Sequence, residues 1–101
     1  MGQIPIPLPM DRIAEFCQRN GIRRLALFGS VLRDDFTPQS DVDVLVEFEP
    51  GRRVGYFTLQ DLEDGLAELI GRRVDLNTPA SLSTYFRDEV LREARSLYVA
   101  A

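Results

Sequence analysis

Histidine is absent from the 101 residues, and so is lysine: all twelve basic side chains are arginine. Without histidine a zinc centre lacks its usual ligands and a reaction lacks the commonest general base, which leaves carboxylates, alone or with a metal, for proton transfer. The all-arginine usage reads as genome composition rather than as function. The single cysteine, Cys17, excludes an intrachain disulfide, and its place on an apolar helical face marks it as core rather than nucleophile. No apolar run reaches membrane-spanning length, and Met1 to Met10 lacks the basic and long apolar regions of a signal peptide, so a prokaryotic cytoplasmic location without a membrane partner is expected. A net charge of −4 opposes tight binding to a nucleic-acid backbone, whose affinity rests on phosphate neutralisation.

What remains is the composition of a folded domain. Hydrophobic residues make up 45% and charged residues 28%, and a chain of this length supports one core and no second domain. Residues 1–8, punctuated by Pro5 and Pro7 and followed by Pro9, form an extended leader, and 9–101 form the domain. Apolar spacing predicts a first helix over 9–20 (Ile13, Phe16, Cys17, stopped by Asn20-Gly21) and a strand over Arg24–Phe28. A short helix then runs from Gly29 to Asp35, and a strand over Asp41–Phe48 follows. Leu59, Leu62, Leu66 and Leu69 mark a long amphipathic helix over about 57–70 capped by Gly71, and Arg73-Val74-Asp75-Leu76 is a third strand. Phe86, Val90, Leu91, Ala94 and Leu97 share one side of a last helix, expected from Ser83 to Leu97 with Ser83 as its N-cap; Leu97 to Val99 could turn extended. The expected fold class is α/β (α+β), a small mixed β-sheet with helices mainly on one face.

The functional signal lies between Gly29 and Asp43. Strand side chains repeat with period two, so Asp41 and Asp43 point to one face, with Cα atoms roughly 6.5 Å apart, while Val42, Val44, Val46 and Phe48 point to the other. Two carboxylates held that close need a positive partner, and a divalent cation such as Mg2+ is the strongest available. The Gly29-Ser30 turn before a helix offers backbone N–H groups and a hydroxyl, which suit a phosphate. A metal pair beside a phosphate cradle is the equipment of phosphoryl or nucleotidyl transfer. An acidic pair on a strand is often merely solvated, but Gly29, Ser30, Asp41 and Asp43 at these spacings would match by chance in only about one chain in a thousand. Asp75 faces opposite Val74 and Leu76 and can join the pair if the strands are neighbours.

Gly29-Ser30, ten intervening residues and Asp41-Val42-Asp43 resemble the signature of the DNA polymerase beta-like nucleotidyltransferases, and most of all the minimal nucleotidyltransferases of HEPN-MNT toxin–antitoxin pairs. The resemblance runs from Leu25 through Ser40–Phe48 to Arg73-Val74-Asp75-Leu76. It implies a third carboxylate from a strand such as that of Asp75, and two Mg2+ ions held by Asp41, Asp43 and Asp75. It implies ATP as substrate, with its phosphates oriented by Gly29 and Ser30, and Arg33 as the local cation. Two departures stand out: Asp34 replaces the usual glycine after the arginine, and Val31 replaces a common basic residue after Gly-Ser, which puts triphosphate affinity in question.

Three function classes follow. The first is a Mg2+-dependent enzyme moving AMP from ATP to a hydroxyl, and because no acceptor-binding domain is present, that hydroxyl is expected on a HEPN-type ribonuclease toxin. The second is an antitoxin acting by binding alone, and the third a small-molecule nucleotidyltransferase; homo-oligomerisation stays open. The repeated Gly-Arg-Arg-Val at 51–54 and 71–74 reads as coincidence, with solvated or partner-facing arginines. The aromatic pairs Tyr56-Phe57 and Tyr85-Phe86 are equally consistent with core and with an interface.

Overall fold

The computed structural model describes residues 4, 6–33 and 36–100. Asp34, Asp35 and parts of the leader lie outside the described residues, and with them the missing-glycine departure and the end of the motif segment. Three helices and four strands follow one another as α1 (Met10–Arg19), β1 (Ile22–Phe28), β2 (Val42–Phe48), α2 (Tyr56–Ile70), β3 (Val74–Asn77), α3 (Arg87–Glu93) and β4 (Arg95–Val99).

The sheet order is β3-β2-β1-β4. β1 runs antiparallel to β2 and β4, whereas β2 and β3 are parallel, so the sheet is mixed. Parallel pairing needs a crossover, and α2 supplies it: Leu62, Leu66 and Ile70 repeat at helical spacing and are buried, which lays the helix across the sheet between β2 and β3. Gly71 ends α2 in the left-handed conformation (φ 76°), with its N–H on Ala67 O at 2.8 Å. Ile13 and Cys17 of α1 enter the same layer, joined by Leu25 and Leu27 of β1 and by Val42, Val44 and Val46 of β2. Ile6, from the expected leader, is buried in this cluster, and Ile4 and Leu8 pack against it.

The opposite face of the sheet carries a smaller cluster of Ala26, Leu45 and Leu82, with Phe28, Val90, Leu91 and Ala94 packed around it. Two helices thus cover one face and the short α3 covers part of the other. The face of Asp43 is therefore only half open, because Leu45, two residues on, is buried beneath Leu82 and α3.

Two expected elements differ from what folds. The segment after Gly29 is a single 3-10 turn over Gly29–Leu32, closed by Arg33 N on Ser30 O at 2.9 Å, and the backbone is already extended at Arg33, where the expected helix would continue. The last helix spans only Arg87–Glu93. Ser83 opens the turn before it, accepting Arg87 N–H on its carbonyl at 2.9 Å, and Phe86 holds the N-cap position. Ala94 leaves the helix with ψ 136°, and the chain becomes β4 on the free edge of β1, with Arg24 opposite Val99 and Leu27 opposite Arg95.

Candidate functional site

The register brings two of the three expected carboxylates side by side. Asp43 lies opposite Phe28, the last residue of β1, on one side and opposite Asp75 of β3 on the other. Asp43 and Asp75 lie on the face that α3 covers only in part. Gly29 follows Phe28 with φ +76°, a conformation that L side chains rarely adopt. A Cβ added there would overlap the Asp43 Oδ2 and sit 3.1 Å from its Cγ, so the backbone of the turn is lodged against the carboxylate. Glycine is required here twice, by backbone conformation and by close approach.

Asp43 is half-buried, while Asp41 and Asp75 are exposed. The Asp43 carboxyl is pushed above its ordinary 3.8, first by burial and then by the charges of Asp75 and Asp41; Arg33 opposes the shift, and a side-chain hydrogen bond with Asp75 adds to it. Asp43 and Asp75 lie side by side across the sheet, and a cation at this position would relieve the repulsion between their like charges. Asp41 is turned to a different partner, Arg73, whose Nε lies 3.1 Å from its Oδ1. Consistent with that pairing, among the described residues no three acidic or thiol groups converge as a ready metal cage.

The donor set still fits a hard divalent ion. Its members are carboxylate oxygens, one of them half-buried beside a like charge, and no soft ligand competes, because Cys17 is in the core with its thiol pushed up to about 12 by burial. Asp43 and Asp75 are the paired members of that set, and Asp41 would join it only by exchanging Arg73.

Ser30 is half-buried beside Gly29, and its hydroxyl makes no hydrogen bond among the described residues. With only one 3-10 turn behind it, the cradle consists of backbone N–H groups and this hydroxyl rather than of a helix dipole. Val31 explains one departure from the expected pattern: it is 1% exposed and packs in the main core, so a residue at this position points away from the cleft. Arg33 is exposed, with its charge within reach of Asp43.

Reasoning from sequence missed Arg72 and Arg73. Arg72 Nη2 donates to the carbonyls of Thr37 (2.9 Å), Pro38 (3.2 Å) and Ser40 (2.9 Å), and its guanidinium carbon lies 4.7 Å from the centre of the Phe36 ring. Arg73 Nη2 donates to Gln39 O at 3.2 Å, besides meeting Asp41. The usable signal was their place at the entry to a strand parallel to that of Asp41. Only that pairing, invisible in local sequence, turns two apparently solvated arginines into clamps on the loop before Asp41.

Comparison with known proteins gives a consistent picture. Residues 10–97 match a family profile described as a nucleotidyltransferase domain. The protein adenylyltransferase MntA of Thermococcus cleftensis is 40% identical over 79 residues, which are 78% of this chain and 78% of that protein. A solved structure described as a candidate minimal nucleotidyltransferase superposes with a TM-score of 0.69 at 38% identity, covering 84% of this chain and 85% of that one. A toxin–antitoxin complex crystallised with AMP-PNP shares the fold, with a TM-score of 0.73 at 23% identity over 92% of this chain and 75% of that one.

Proposed function

We propose a function from one premise: the chain belongs to the nucleotidyltransferase domain family. The reading is that it is a Mg2+-dependent protein adenylyltransferase that moves AMP from ATP to a hydroxyl of a partner protein, and that the partner is a HEPN-type ribonuclease toxin which it antagonises. The observation that carries the catalytic part is the Gly29 backbone lodged against Asp43, with Asp75 paired to it across the sheet. The name of the MntA relative supports a protein as acceptor, and the toxin–antitoxin complex that shares the fold supports the class of partner. A cytoplasmic location, where ATP is available, belongs to the same reading.

In this reading Asp41, Asp43 and Asp75 hold two Mg2+ ions. When bound, these polarise the α-phosphate and lower the pKa of the attacking hydroxyl. The N–H groups of the Gly29–Leu32 turn and the Ser30 hydroxyl orient the β- and γ-phosphates, and Arg33, at the mouth of the turn, adds positive charge. The acceptor oxygen attacks the α-phosphorus, the bond from that phosphorus to the β-phosphate bridging oxygen breaks, and pyrophosphate leaves. The hydroxyl proton passes to solvent or to a carboxylate, since no histidine is present. Asp75, exposed and distal to Gly29, takes the acceptor side.

Aligning two reactants can account for roughly 7–11 kcal/mol of a barrier, and in this reading the partner brings the second of them. The test is incubation with α-labelled ATP and Mg2+, with and without the product of the neighbouring gene. Label is expected on that protein, with little turnover in its absence. Efficient transfer by this chain alone to a free nucleotide or an aminoglycoside would favour a small-molecule enzyme instead.

A further inference from the structure

In the segment 36–40 before Asp41, Phe36 packs against the main core, whereas Thr37, Pro38 and Gln39 are exposed. Two arginines at the entry to β3 hold the exposed part: Arg73 reaches Gln39 O, and Arg72 makes the larger set of contacts. Arg72 stacks on Phe36 at one end of the loop and reaches the carbonyls of Thr37, Pro38 and Ser40 at the other, the last of these in the residue preceding Asp41. Its backbone leads directly into β3, where Val42 N donates to Arg73 O at 2.9 Å and Asp43 pairs with Asp75. The entries to β2 and β3 are thus fastened by this backbone bond and by the two guanidiniums, of which that of Arg72 makes the most contacts.

We propose that Arg72 is a positioning residue of the carboxylate site, fixing the loop so that Asp41 reaches the cation already approached by Asp43 and Asp75. The inference rests on the metal site of the proposed function. The planar guanidinium is what makes the clamp work: it stacks on an aromatic face while its N–H groups reach several carbonyls, and a lysine ammonium offers no such plane. Arg73 has the opposite relation to the site. It pairs with Asp41 when no cation is present and so competes with one.

These roles predict effects of opposite sign, which general electrostatics does not. Removing either positive charge should by Coulomb's law strengthen cation binding nearby. A loss of binding on removing Arg72 therefore reports positioning.

The experiment is titration of the metal-free protein with Mn2+, read from the EPR signal of the free ion, with thermal melts to show that each variant is folded. Wild type is expected to bind and Asp43→Asn to fail. Arg72→Ala is expected to bind about 10- to 100-fold more weakly, the usual cost of losing a residue that orients a ligand, and Arg72→Lys is expected not to restore affinity. Arg73→Ala is expected to bind at least as tightly as wild type. If Arg72→Ala does not fold, Phe36→Leu, which removes the stacking surface and keeps an apolar side chain, should weaken binding in the same direction. Wild-type affinity in Arg72→Ala, full rescue by lysine, or equal losses in Arg72→Ala and Arg73→Ala would overturn the positioning role and leave the metal site standing. No binding by wild type would instead remove the metal site itself.

Discussion

At Gly29 the backbone and a carboxylate occupy the space that a side chain would need. Gly29→Ala is expected to cost about 1–2 kcal/mol in stability for a non-glycine residue at positive φ. It should also abolish Mg2+-supported ATP binding, because the new Cβ displaces Asp43; denaturant melts and calorimetry on one preparation read the two effects separately. Asp43 itself is raised by burial and by two like charges. A carboxyl with a folded value above its unfolded one contributes stability that is fully present below the unfolded value and is lost as pH rises through the folded value. Metal-free protein should therefore lose stability as pH climbs upward from about 3.8, and Asp43→Asn should remove that loss and melt higher than wild type at pH 7. Melts in EDTA from pH 3.5 to 7 check this; parallel curves for the two proteins would show that Asp43 is not the group responsible. At this scale the sequence was informative in part: the Gly29 backbone lies against Asp43 and Asp43 pairs with Asp75, as period-two alternation and the motif spacing lead one to expect, while Asp41 turns to Arg73. What local reading could not supply was the pairing of Asp41 with Arg73, a contact between side chains 32 positions apart.

Elements were readable in proportion to how far local patterning determines them. α2 is bounded as its leucine spacing and Gly71 require, because its amphipathic stripe and its cap lie within the segment itself. The carboxy-terminal segment was not, although Phe86, Val90, Leu91, Ala94 and Leu97 fit a helical face through Leu97. There the open edge of β1 competes for the same residues, and Arg95–Val99 satisfy their backbone by pairing with it rather than by continuing the helix. A remote edge leaves no trace in local periodicity. The motif turn shortened for a related reason: Val31 is drawn into the main core, and the chain leaves the turn at Arg33 in extended conformation (φ −121°, ψ 168°). Gly71 supplies the control for Gly29. Both have φ near +76°, but a Cβ at Gly71 would meet nothing within 4 Å. Gly71→Ala should show the same stability loss of about 1–2 kcal/mol while ATP binding stays unchanged. A binding loss in both variants would mean that strain alone loosens the site, and that contact with Asp43 is not what Gly29 provides.

On the scale of the whole molecule, the two layers of the sheet separate chemistry from support, and the exposed aromatics sort with them. Tyr56 and Phe57, 70% and 82% exposed, stand at the start of α2 on the well-covered face, their rings edge to face at 5.7 Å. Tyr85, 99% exposed, and Phe86, 46% exposed, lie between Leu82 and Val90, both of which pack on the face of Asp43. None of the four serves as core, and only Tyr85 and Phe86 lie on the side of the carboxylates, where exposed rings can anchor a partner. A protein acceptor has to approach the carboxylate face to bring its hydroxyl to the α-phosphate. Tyr85→Ala should therefore raise the KM for the partner in the labelled-ATP transfer about tenfold or more, the weight of one buried aromatic anchor, with ATP affinity unchanged. Phe57→Ala, on the opposite layer, should leave both constants near wild type. The measurement is transfer at saturating ATP across a range of partner concentrations. The reverse pattern, with Phe57→Ala impaired and Tyr85→Ala normal, would mean that the partner is gripped from the α2 side and reaches around the sheet edge to the site, and the direct approach to the carboxylate face would have to be abandoned.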